Sequence, residues 1–133
     1  MKELDFLTSL NQHINSLGLY ARSVLSVLTE SESLSVMALP GGAERVYMDG
    51  ARDKDYNVQI NAKSKNQANC MNALNAVAYS LENLYFLPSN NQSYEFDKFV
   101  LSGMPSYVSQ DEQGFFIWQL TVTAKITIYK GVA

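Results

Sequence analysis

The sequence predicts a single α+β domain, with two main helices packed on a mixed or antiparallel sheet. Three observations carry this expectation. The chain has 133 residues, fewer than the roughly 150 of a typical domain, so one core is expected across residues 1–133. Apolar residues make up 47% and charged ones 17%, a balance that supports burial and argues against a disordered or fibrous chain. Apolar positions recur at helical spacing in two segments and at alternate positions in several others. The resulting order is helix, three strands, helix, two strands, the pattern of helices layered on a sheet.

Leu4, Leu7, Leu10, Ile14 and Leu17 lie three or four residues apart, which places them on one stripe of a first helix ended by Gly18. From Leu19 to Leu28 the apolar residues show no clean period, and Thr29 to Ser33 reads as a polar loop. Leu34 to Leu39 and Arg45 to Asp49 flank Pro40-Gly41-Gly42-Ala43-Glu44, so a β-hairpin is expected there. Asp49 to Asp55 reads as a charged loop. Tyr56, Val58, Ile60 and Ala62 then alternate with Asn57, Gln59, Asn61 and Lys63 as a half-buried strand.

Ser64 and Gln67 have the spacing of a capping box, which opens a helix of about 20 residues, stopped by Pro88 and the polar run behind it. Tyr94 to Val108 should pair with the chain's end through a loop at Asp111 to Gly114, with a bulge or edge position at Gly103 and Pro105. The strongest signal is the last one. Phe116, Trp118, Leu120, Val122, Ala124, Ile126 and Ile128 occupy every second position, which predicts a strand of roughly 45 Å at about 3.4 Å per residue. Such a strand exceeds the usual length twofold, so it should project beyond the domain, curve strongly, or be completed by neighbouring copies.

Thirteen acids against ten bases leave a net charge of -3, without the basic footprint of a nucleic-acid binder. The acidic N-terminus has neither a signal-peptide pattern nor a membrane-length apolar run, and one Cys70 forms no intramolecular disulfide. A soluble protein in a reducing cytoplasm is therefore expected. His13 is the single histidine, so a His-rich metal site is excluded, and its place by the apolar stripe favours a boundary side chain over a catalytic one. Cys70 reads as a small core residue. The carboxylates of Asp49, Asp53 and Asp55 lack the ligand spacing of a calcium loop and compete with Arg52 and Lys54. Gly41-Gly42 lacks the remainder of a phosphate loop. These residues point to a non-enzyme without cofactor or metal.

The Val36-Met37-Ala38-Leu39-Pro40-Gly41-Gly42 run, the charged segment, the strand Tyr56 to Lys63, the helix Ser64 to Asn83 and the terminal strand pair resemble the minor capsid or tail-terminator proteins of long-tailed bacteriophages and prophages. The resemblance implies a virion structural protein, assembled in the host cytoplasm, that caps the finished tail tube as a hexameric ring and offers the head-tail joining surface. Its implied partners are copies of itself, the tail tube protein and a head-neck connector, with DNA passing through unread and no membrane involved. On that reading Phe96, Phe99, Leu101, Phe116, Trp118 and Leu120 are candidates for subunit contact, with Phe116 and Trp118 as aromatic anchors. Gly41, Gly42, Asp49, Arg52, Asp53 and Asp55 are candidates for contacting the tube or lining the channel. Two other classes stay open: a dimeric small-molecule-binding or regulatory domain, and another neck or head-closure component.

Overall fold

The computed structural model describes residues 3–101 and 103–132. Along them run α1 (Phe6–Asn15), β1 (Ser23–Leu25), β2 (Ser33–Ala38), β3 (Glu44–Val46), β4 (Arg52–Ser64), α2 (Gln67–Glu82), β5 (Tyr94–Leu101), β6 (Ser106–Gln110) and β7 (Phe116–Ile128). The α+β class and the order of the main elements agree with the sequence expectation; β1 and the division of β5 from β6 are added to it.

β4 and β7, 13 residues each, pair antiparallel along their whole lengths, from Arg52 opposite Ile128 to Ser64 opposite Phe116. This match resolves the length problem posed by the terminal strand, because β4 covers one edge of it from end to end. Each long strand carries two shorter ones on its other edge. β2 pairs with Val58 to Lys63 and β3 with Arg52 to Lys54, while β5 and β6 divide β7 between them. β1 adds to β2 in parallel.

Even-numbered β7 residues from Leu120 to Ile128 face the core with Val58, Ile60 and Ala62 of β4 and Leu34 and Val36 of β2. Over them α1 buries Phe6, Leu10 and Ile14, and α2 buries Cys70, Ala73, Leu74, Val77 and Leu81. Each large apolar side chain removed from water in this way contributes about 1.5–3 kcal/mol. Phe6 sits edge-on to Tyr56 at 5.1 Å and to Tyr94 at 5.3 Å, the arrangement that brings positive ring edges to negative ring faces.

Three local expectations are corrected. The expected hairpin between Leu34–Leu39 and Arg45–Asp49 does not form, because both segments pair with β4 instead. The linker between them follows the β4 edge, joined by Leu39 N–H to Asn57 O at 2.9 Å and Asp55 N–H to Ala43 O at 2.8 Å. Gly42 allows that close approach: its φ is +91°, and a Cβ there would run into the Asp55 carbonyl oxygen. The true reversal lies between β3 and β4, where Tyr47 N–H bonds Ala51 O at 2.8 Å. As a consequence, Arg52 to Asp55 is strand and not loop.

The third correction concerns α2, which spans 16 residues and not about 20. Its N-cap is Asn66, whose Oδ1 accepts from Ala68 N–H at 3.1 Å, while the Ser64 hydroxyl accepts from Asn66 N–H one step earlier. The Asp111 turn forms as expected, with the carboxylate accepting from the backbone of Gln113 and Phe115.

Candidate assembly surfaces

The sheet face turned away from the helices is built from the odd-numbered positions of β4 and β7, which alternation forces out of the core. Cross-strand pairs connect them in a ladder. Thr127 Oγ1 donates to Asp53 at 2.7 Å, Lys125 Nζ to Asp55 at 3.0 Å and Thr123 Oγ1 to Asn57 at 2.8 Å. Gln59 donates to Gln119, and Asn61 donates to Ser35 on β2 at 3.2 Å. Lys63 closes the far end on Asp111 at 3.4 Å. Apart from Ser35, which is fully buried, these side chains are half-buried, and amides and hydroxyls fill the middle of the face.

At the β3–β5 end this face deepens into a cleft of about 510 Å³ whose lining is mostly charged, including Arg45, Asp53, Asp55, Glu95, Asp97 and Lys125. Asp53 accepts hydrogen bonds from the Tyr47 hydroxyl and from Thr127, in that order of influence, and they hold its carboxyl below the usual range. The same bond pushes the Tyr47 phenol up.

Both sheet edges expose apolar side chains. Leu25 and Val27 project at the β1 edge and Val46, Tyr47 and Met48 at β3; Val100, Met104, Tyr107 and Val108 project along β5 and β6. Under β6, the Tyr107 ring meets Trp118 edge-on at 6.1 Å and lies 6.5 Å from Phe116. Trp118 Nε1 is buried there as a donor with no partner among the described residues.

The candidate residues fall into distinct places. Phe99 and Leu120 are buried in the core of their own chain, whereas Phe96, Leu101, Phe116 and Trp118 are half-buried at its margin. Asp53 and Asp55 stand together on the polar face, and Arg52 ion-pairs with Glu44 at 3.5 Å. Gly41, Gly42 and Asp49 lie in the exposed connections around β3. His13 Nε2 pairs with the Ser80 hydroxyl at 2.8 Å, and burial lowers its pKa. Burial pushes the Cys70 thiol up, which suits a packed side chain and not a nucleophile. Sequence reasoning missed Arg45, Glu95, Lys125 and Tyr107, because their neighbours come from distant strands; the charged alternation around Asp53 was the one available signal.

A family model described as "Bacteriophage tail terminator protein" matches residues 13–128. The chain belongs to this family. Membership makes it a phage structural tail protein and so a virion component. No curated protein matches this terminator chain significantly. Among solved structures, it is similar to a chain from a "Virion of native gene transfer agent (GTA) particle" at 12% identity and a TM-score of 0.54, over 86% of this chain and 84% of that one. At that identity the likeness is one of fold. Among the described residues, no helix of the terminator is long and apolar enough to cross a membrane.

Proposed function

We propose that this tail terminator closes the finished end of the tail tube as a ring of copies, six being the expected number, and so stops tube growth and presents the head-tail joining surface. It works by contact alone, as a non-enzyme without cofactor. One observation carries the ring: the sheet ends in two unlike edges, each exposing apolar side chains. Unlike edges that meet form a head-to-tail contact, and such contacts close into rings when the rotation between copies allows. A closed ring also leaves no free edge to recruit further strands.

The tube protein and a head-neck connector are the partners on the two ring faces, with DNA passing between them unread. A net charge of -3 suits that passage, since phosphates are not held by a surface without excess positive charge. Asp53 and Asp55, with Gly41, Gly42, Asp49 and Arg52 around them, form the surface offered to the tube or the channel. Phe96, Leu101, Phe116 and Trp118 support the subunit contact from beneath. A small-molecule site has less in its favour, because the cleft is lined mostly by charges, whereas ligand pockets are predominantly apolar.

The test is light scattering over a concentration series, with and without purified tail tubes, followed by negative-stain imaging. Rings with an open channel, bound at one end of each tube, are expected. A closed dimer at every concentration that ignores tubes would overturn the proposal in favour of the regulatory class.

A further inference from the structure

The two ends of the sheet, where the strands stop, are unlike each other. One end is set by Ser64 opposite Phe116, with Gln110 of β6 on the far side of Phe116. Its loops, 29–32, 65–66 and 111–114, expose Glu30, Glu32, Lys65 and Glu112 and no large apolar side chain. The Phe115 ring beside them is buried, covered by the ammonium groups of Lys63 and Lys65 at 4.9 and 5.1 Å. The other end is set by Arg52 opposite Ile128 and Ile128 opposite Tyr94. Here Tyr47 and Met48 in the β3–β4 turn, Tyr85 and Phe86 after α2 and Tyr129 after β7 all project into solvent, Met48 completely and Tyr85 and Phe86 by 85% and 75%. Two hydrogen bonds gather them at this end: Tyr129 N–H donates to Ser93 O at 3.2 Å, and the Tyr94 hydroxyl donates to Leu87 O, next to Phe86, at 2.9 Å.

The apolar end is also firmly built. Its turn is closed by Tyr47 N–H to Ala51 O at 2.8 Å and Gly50 N–H to Tyr47 O at 3.0 Å, and the Asp49 carboxylate accepts from Ala51 N–H at 3.0 Å. Tyr47 is held by its bond to Asp53 and by the Arg45 guanidinium 5.6 Å above its ring. Gly50 lies so close to the Lys130 side chain that a Cβ would come within 2.8 Å of its Cγ, and the Arg52 guanidinium donates to Val132 O at 3.3 Å. Turn and chain end therefore form one platform. Apolar side chains presented on a fixed platform add nothing to their own fold, but they lower the ordering cost of binding a partner. At about 150–250 Å² per whole aromatic side chain, the exposed parts of the four rings come to roughly 350–600 Å² before Met48 is counted. That matches the largest apolar patch of a typical monomer, about 300–600 Å², and is a large share of the about 800 Å² that each partner gives to a stable contact.

We propose that this end is the seat of the terminator on the tail tube protein, with an uncharged, apolar socket on the last tube subunits as its complement. The inference rests on the tube-capping reading and adds which end of the fold meets the tube. Two arguments choose the tube over the neck. The apolar end adjoins Asp49 and Arg52, which belong to the surface offered to the tube or the channel. A cap also stays on its tube once bound, which suits an apolar contact of the permanent kind. Head and tail, by contrast, meet by diffusion, which the charges of the opposite end can steer.

Met48→Asp and Phe86→Asp, each in the full chain, test the seat by co-sedimentation with purified tail tubes, and Glu30→Lys combined with Glu112→Lys alters the opposite end. Met48 and Phe86 are exposed, so both variants should keep the melting temperature of the parent. Each should bind tubes at least about tenfold more weakly than the parent, whereas the charge-reversed chain should bind as the parent does. Tube binding by the parent should also change little between low and high salt, since an apolar seat has few charges to screen. Parent-like tube binding by both apolar variants would overturn the seat and leave the tube cap standing. Loss of a two-fold dimer in solution, with tube binding unchanged, would make a second copy the occupant and overturn it as well. A parent chain that binds no tubes would overturn the seat together with the capping itself.

Discussion

The two faces of β7 are made by one strand with the same neighbours, yet they are stabilised in different ways. Even positions from Leu120 to Ile128 are buried beneath α1 and α2. Odd positions from Gln119 to Thr127 remain half-exposed, held by partners on β4 such as Asn57, Asp55 and Asp53. Burial of apolar area is the larger contribution, because the polar pairs only replace bonds to water with bonds within the protein. The comparison teaches that stability is concentrated on one face, which leaves the other free to be shaped by assembly.

The sharpest way to break this comparison is to cut the apolar face. Leu120 is 1% exposed and packs in the main core. Leu120→Ala should cost about 2–5 kcal/mol through lost transfer energy and the cavity left behind. Urea unfolding reads it as a lower midpoint with an unchanged slope. A loss below about 1 kcal/mol would show that the helices do not press on β7 as described.

The same contrast explains what is legible in the sequence. Phe116 to Ile128 and Tyr56 to Lys63 alternate because one face is dry and the other wet, so the alternation by itself identifies both strands. Arg52 to Asp55 belongs to the same strand as Tyr56 to Lys63, but it lies at the sheet end, where both faces admit polar side chains and the alternation vanishes. Pro40-Gly41-Gly42 has the composition of a hairpin turn; pairing of both flanking segments with β4, which lies later in the chain, overrides that local signal. Asp53 and Asp55 are legible as a charged segment. The meeting of Arg45 and Glu95 in one cleft is not, because that relation depends on register through two intervening strands.

A smaller effect separates polar attachment from apolar packing through pH. Asp5 tethers the start of α1 to the loop before β5: its carboxylate accepts from the Ser89 and Ser93 hydroxyls at 2.6 and 2.9 Å and from Asn90 N–H at 2.7 Å. Burial acts to raise its pKa, but these bonds and one from Asn91 N–H outweigh it, so the folded value is lowered. A lowered carboxyl pKa means the unfolded chain binds the proton first as acid is added. The stabilisation is therefore complete above the unfolded value of about 3.9 and disappears as pH falls through the folded one. Asp5→Asn should lose about 1–2 kcal/mol at pH 7 and show a flatter decline of stability below pH 4 than the parent chain. Parallel acid limbs in thermal melts of the two proteins would assign the acid sensitivity elsewhere, to Asp53 or Asp111, whose carboxyls are also lowered.

The smallest expected effect tests the polar face directly. Thr123 Oγ1 donates to Asn57 Oδ1 at 2.8 Å in the middle of the ladder, and both residues are half-exposed. Thr123→Val keeps the branched shape that suits a strand and removes only the donor. Because water can reach Asn57 in its place, unfolding should become easier by no more than about 1 kcal/mol. Assembly on tail tubes is the second measurement. Unchanged assembly with this small loss would mean that the central ladder is solvated scaffold, and that the functional contacts lie at the edges and in the charged cleft. A loss above about 2 kcal/mol would erase the contrast between the faces, since the hydroxyl would then be part of a buried network whose members depend on one another.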